Sequence, residues 1–117
     1  MHVVWEDYRD HGGAGGDIYY RRSTNSGDWF EPTIRLTNFG SFKYRHNIAV
    51  FEDNIHIVWD DDRSGGDVYY IHSTDNGVNW SPEILITNPS DNDLNPKIST
   101  SENNVFIVWD SQRGGNF

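Results

Sequence analysis

An all-β fold of repeated, four-stranded antiparallel units is the architecture this sequence predicts, and three observations carry the prediction. The chain repeats itself: residues 15–63 set against 65–113, a shift of 50, give 20 identities in 49 pairs. Each period then divides into four strand-like stretches bounded by Gly, Asn, Asp and Pro. No stretch has a helical period, and 11 Gly, 4 Pro and 15% aromatic residues suit a turn-rich folded chain, since disorder is usually poor in aromatics. Four strands per unit at this spacing is the signature of a propeller blade.

The middle copy shows why each element is expected. Asn47 to Phe51 alternates in polarity, and its counterpart Lys97 to Ser101 is small and polar on one face, as suits an inner strand beside a wet axis. Residues 55–60 and the run Val105-Phe106-Ile107-Val108-Trp109 are nearly continuously apolar, the pattern of a strand covered on both faces. Residues 67–73 are amphipathic and aromatic. Residues 83–87, with the earlier copy Thr33-Ile34-Arg35-Leu36, suit an outer edge strand. The chain is therefore expected to hold one blade over 1–38 that lacks its first strand, a full blade over 47–88, and the start of a third over 97–117. Val3-Val4-Trp5-Glu6 is a further copy of Ile57-Val58-Trp59-Asp60 and Ile107-Val108-Trp109-Asp110.

Between the third and fourth strands, Ser73-Thr74-Asp75-Asn76-Gly77-Val78-Asn79-Trp80 reads Ser-x-Asp-x-Gly-x-x-Trp. This resembles the Asp box, or bacterial neuraminidase repeat, of sialidases and their propeller relatives. The local chemistry is that of a tight hairpin. Aspartate accepts hydrogen bonds from turn amides, glycine permits a positive φ, and tryptophan packs beneath the turn. The earlier copy, Ser23-Thr24-Asn25-Ser26-Gly27-Asp28-Trp29-Phe30, has Asn25 for the aspartate and Phe30 at the tryptophan position, so weaker amide binding is expected there. The resemblance implies a structural role on the face opposite the ligand site. It assigns Ser73, Asp75, Gly77 and Trp80, with Ser23, Asn25, Gly27 and Phe30, to the fold.

The same resemblance implies a sialidase catalytic set: an arginine triad, a Tyr–Glu pair and an aspartic acid/base. These do not transfer. No Arg-Ile-Pro triplet occurs, and of the glutamates only Glu6 is well placed to partner a tyrosine. Hydrolysis by this chain alone is not expected. The expected function is a non-catalytic, self-assembling module that binds glycan or protein on its upper loops. Two alternatives stand beside it: a piece of a secreted Asp-box glycosidase whose catalytic residues lie in other blades, and a purely structural propeller fragment, an evolutionary or engineered intermediate. The family implies an extracellular setting, although no signal peptide opens the chain.

Candidate binding residues come from the loops on that upper face. Trp5-Glu6-Asp7-Tyr8-Arg9, Trp59-Asp60-Asp61-Asp62-Arg63 and Trp109-Asp110-Ser111-Gln112-Arg113 each carry a Trp, an acid and an Arg. Asp7, Arg9, Asp62, Arg63 and Arg113 are thus candidate sugar or carboxylate contacts. Recurrence in every copy also fits arginines paired with acids of their own loops. The loop Asn38 to His46 does not repeat, and its Tyr44, Arg45 and His46 are a candidate stacking surface. Asp91-x-Asp93-x-Asn95, with Glu102 at the twelfth position, has the oxygen spacing of a calcium loop. Pro96 stands where that loop needs Gly, and a solvated acidic loop is the plainer reading. No other cofactor is expected.

The formal charge of −9 argues against a general nucleic-acid binder. The longest apolar run, five residues, is too short for a membrane-spanning helix. Without cysteine the chain has no disulfide framework or zinc–thiolate site. Propellers close with about four to eight blades, so a homo-oligomer is expected, three chains forming six blades.

Overall fold

The computed structural model describes residues 1–9, 15–63, 65–88 and 92–112, and all regular structure among them is antiparallel β-strand. Nine strands occur in order: β1 (His2–Asp7), β2 (Asp17–Arg22), β3 (Ile34–Arg35), β4 (Lys43–Phe51), β5 (Asn54–Asp61), β6 (Asp67–Ser73), β7 (Ile84–Leu85), β8 (Asp93–Ser101) and β9 (Asn104–Ser111). They form three sheets, β1-β2-β3, β4-β5-β6-β7 and β8-β9. The chain divides into two compact units, Met1–Lys43 and Tyr44–Phe117.

In the first unit β1 pairs with β2 from His2↔Arg22 to Asp7↔Asp17. Ile18, Tyr19 and Tyr20 are buried. In the second unit β5 pairs with β6 from Ile55↔Ser73 to Asp61↔Asp67, the same arrangement one period later. Val58 and Val68 form a core with Ile98 of β8, and Ala49, Tyr70, Ile86, Ile107 and Trp109 pack around it. This joins the second and third sheets. The apolar run of β5 is buried throughout, as its composition requires. Its copy β9 buries one face only, leaving Phe106 54% and Val108 64% exposed.

The strand bounds differ from the sequence expectation in two respects. The outer strands β3 and β7 are only two residues long. Pro32 and Pro82 precede them and donate no ladder bond. At the other end the amides of Ile18 and Val68 donate to the hydroxyls of Thr37 (3.1 Å) and Thr87 (3.0 Å). A side chain thus takes the place of the next backbone carbonyl.

The inner strands, conversely, begin four residues early, at Lys43 and Asp93 rather than 47 and 97. Tyr44, Arg45 and His46 therefore lie in β4 and not in a loop. Arg45 (φ 50°) and Asn95 (φ 61°) share one repeat position. In β8 the register shifts between Leu94 and Lys97, and this bulge holds Pro96 out of the ladder. Non-repeating sequence hid a repeating backbone.

The two box hairpins are closely alike. The Ser73 hydroxyl donates to Asp75 Oδ1 (2.8 Å), which also accepts the Asn79 amide (2.8 Å). In the first unit Ser23 donates to Asn25 Oδ1 (2.8 Å), which accepts the Trp29 amide (2.9 Å). Asn25 thus makes the same two bonds, because both need only one side-chain oxygen. What Asp75 adds is a second oxygen accepting Asn79 Nδ2 at 2.8 Å. Gly27 and Gly77 both have φ 89°, outside the range of L side chains. Trp80 Nε1 donates to the Gly77 carbonyl (3.2 Å). Phe30 lies instead under Arg21, 5.7 Å from its ring centre, while Trp29 is 60% exposed.

The amide and side-chain hydrogen bonds of Asn79, followed by that of Ser73, lower the Asp75 carboxyl to about 2. A depressed acid contributes stability that is complete above its unfolded value and lost as the pH falls through the folded one. That window runs from about pH 4 to 2. Asp75→Asn is expected to keep the hairpin at neutral pH, on the precedent of Asn25, and to flatten the fall in urea midpoint across that window. An unchanged acid profile would contradict this origin of the shift.

Candidate functional site

Left-handed positions in β4 and β8 bring Arg45 and Asn95 to the carboxylate of Asp60, near the end of β5. Asp60 is 1% exposed. It accepts Arg45 Nε at 2.7 Å and Nη2 at 3.2 Å, and the Asn95 amide at 2.8 Å. Asn95 Nδ2 donates to Asp110 (3.2 Å), and Asn92 Nδ2 to Gln112 Oε1 (3.1 Å). Around this network opens a cleft of about 300 Å³, lined by Arg45, Asn92, Leu94, Asn95, Asp110 and Gln112. A second hollow of about 270 Å³ shares Arg45, Asn92 and Leu94 with it and adds Tyr44, Asp60 to Asp62, Gly65 and Gly66.

The lining is amide, carboxylate and guanidinium, with one leucine. Such a set offers donors and acceptors in pairs, and Leu94 gives an apolar patch. The carboxylates of Asp60 and Asp110 already have fixed partners, Arg45 and Asn95 for Asp60 and Asn95 for Asp110. The arrangement suits hydrogen-bonded recognition of a small polar ligand.

Of the sequence candidates, Tyr44, Arg45 and Asp62 reach these clefts. Arg9 and Arg63 are held within their own loops. The Arg9 amide donates to Asp7 Oδ1 (2.9 Å) and the Arg63 amide to Asp61 Oδ1 (3.0 Å), while each guanidinium donates to Oδ2 of the same aspartate. Arg63 also donates to Glu83 (3.0 Å). The guanidiniums lie 5.0 Å and 4.1 Å from the ring centres of Tyr19 and Tyr69. Hydrogen bonds from the Arg9 side chain and then its amide lower Asp7 to about 2. Burial works against the charge of Arg63, but its bonds to Asp61 and Glu83 outweigh this and raise its pKa. His46 is half-buried in β4. Arg113 and Asp91 lie outside the described residues.

Asp93 is buried at the start of β8, whereas Glu102 is exposed in the turn after it. Eight residues of extended chain separate the two, so they do not meet. Asn92, Asp110 and Gln112 were not site candidates by sequence, and Asn95 was one only as an oxygen of the calcium loop. One signal did point to Asn92 and Asn95: 88–96, like 38–46, departs from the repeat.

No protein-family model and no curated protein matches the chain.

Asp60→Ala is expected to lower the stability of the second unit by about 2 kcal/mol, below the usual cost of breaking a buried pair because Arg45 stays half-solvated. Urea unfolding of the variant checks this, and a loss within error of zero would mean the network adds nothing.

Proposed function

We propose that this chain is a non-catalytic propeller module of the Asp-box type that binds a glycan through the cleft beside Arg45 of β4 and Asn95 of β8. The observation that carries the reading is the lining of that cleft. Asn92, Asn95 and Gln112 are neutral amides beside the Asp110 carboxylate and the Arg45 guanidinium, a set matched to vicinal hydroxyls. Leu94 supplies an apolar contact for a sugar C–H face. A volume of about 300 Å³ is the scale of one or two monosaccharides. Binding is favoured over hydrolysis because the Asp60 and Asp110 carboxylates serve as fixed acceptors.

The module completes its ring with further copies of itself. Supporting this, Val58 is covered in the second unit by Ile98, Ile107 and Trp109. Its repeat counterpart Val108 is exposed, together with Phe106. Val3 and Trp5, the counterparts of Ile107 and Trp109, line an apolar hollow of about 210 Å³ with Arg21 and Phe30 in the first unit. A β9 face of one copy set on the Val3–Trp5 face of the next reproduces a contact already present inside the chain. Such a head-to-tail interface closes into a ring if its rotation allows.

Light scattering after size exclusion is expected to give a discrete trimer or another closed multiple, and a monomer at all concentrations would overturn the assembly. Amide NMR titration with N-acetylneuraminic acid, galactose and N-acetylglucosamine is expected to shift Asn92, Asn95 and Gln112, with a Kd of about 1–10 mM, weak because one sugar buries little surface. Asp110→Ala and Gln112→Ala should each weaken the binding sugar about tenfold. Shifts absent for every sugar would overturn the glycan reading.

A further inference from the structure

Lys43 is completely buried in the first unit, and its ammonium is surrounded by oxygen. It donates to the carbonyls of Phe39 (2.6 Å), Gly16 (2.8 Å) and Ser41 (3.3 Å) and to the Ser41 hydroxyl (3.2 Å), and lies 3.6 Å from Asp17 Oδ1. Asp17 also accepts from Thr37 (2.7 Å) and from Arg35 (2.6 and 2.9 Å). Burial alone would raise its pKa, but these bonds and the two cations outweigh it and keep the group a carboxylate. One buried anion is thus answered by two cations in a cage built for positive charge.

The second unit keeps the frame and changes the charges. Asp67 is buried like Asp17 and accepts from Thr87 at 3.0 Å. Fifty residues on from Arg35 stands Leu85, and fifty on from Lys43 stands Asp93. The Asp93 amide donates to the Gly66 carbonyl (2.9 Å), the counterpart of the Gly16 carbonyl that accepts Lys43. Its side chain is 1% exposed, yet neither carboxylate oxygen receives a hydrogen bond. Among the described residues, Arg45 pairs with Asp60, and Arg63 with Asp61 and Glu83. The residue types at these three positions change from a net charge of +1 to one of −2, and the Asp93 carboxylate is buried without a hydrogen bond, which is costly.

We propose that Asp67 and Asp93 form a binding site for a hard divalent cation, calcium in size and chemistry, which stands where the Lys43 ammonium stands in the first unit. Two carboxylates match its charge. Water and the neighbouring Gly66 carbonyl supply further oxygens of the kind that calcium takes at 2.3–2.6 Å. The site joins β6 to β8 and is not a linear loop ending at Glu102. Asn92 and Leu94, which flank Asp93, both line the cleft, so the cation would fix the cleft wall. The site stands independently of the glycan reading.

The test uses the whole chain, stripped with EDTA and dialysed. Calcium chloride is expected to bind one per chain by calorimetry. At about a hundred times its Kd it should raise the unfolding midpoint by roughly 5 °C or more. Asp93→Asn should weaken calcium binding about a hundredfold and remove the shift. Asp93→Lys, which recreates the first unit's arrangement, should melt at or above the stripped wild type and ignore calcium. A wild type that gives no calcium heat and melts identically in EDTA and calcium overturns the proposal. So does a calcium response that Asp93→Asn leaves unchanged. A midpoint that rises on acidification while ignoring calcium also overturns it, because the two carboxyls would then share a proton.

Discussion

Each repeat unit hangs on a buried aspartate at the start of the strand that follows its apolar strand. Asp17 and Asp67 accept the hydroxyls of Thr37 and Thr87, and those hydroxyls accept the amides of Ile18 and Val68. This relay ties the end of the outer strand to the middle of the sheet through side chains, where two-residue strands such as β3 and β7 supply few backbone bonds. The cost is a carboxylate held away from water, which must be answered with positive charge. The first unit answers with Arg35 and Lys43. The matching positions of the second unit hold Leu85 and Asp93, neither of which carries positive charge.

The recurring and the differing residues have separate tasks. Asp7 with Arg9 and Asp61 with Arg63 recur, and each arginine closes its own loop against an aspartate two residues earlier and a tyrosine ring. They hold the sheet ends in shape. Arg45 and Asn95 occupy one repeat position with the same left-handed backbone but different side chains. There the guanidinium and the backbone amide converge on one carboxylate, Asp60. The cleft lies where these two left-handed positions meet.

Much of this was legible beforehand. The strand order, the hairpins and the burial of β5 followed from apolar period and turn chemistry, which act over a few residues. The box hairpins were legible too, although Asn25 proved a closer substitute for Asp75 than its identity suggested, since one oxygen makes both shared bonds. The early starts of β4 and β8 were not legible. Segments 38–46 and 88–96 share almost no residues, and the left-handed position accepts side chains as different as Arg and Asn.

By itself the sequence determined the 50-residue period, the antiparallel strands and the places of the tight turns, because each rests on contacts between near neighbours. Only the tertiary structure decided which charges are buried together and which polar groups face the cleft. Asp60 meets Asn95 across 35 positions, and Asp93 comes to the place of Lys43 only once the two units are seen to share a backbone. Pairings at that range depend on strand register and bulges, and a shift of one residue would turn every one of those side chains to the other face of its sheet.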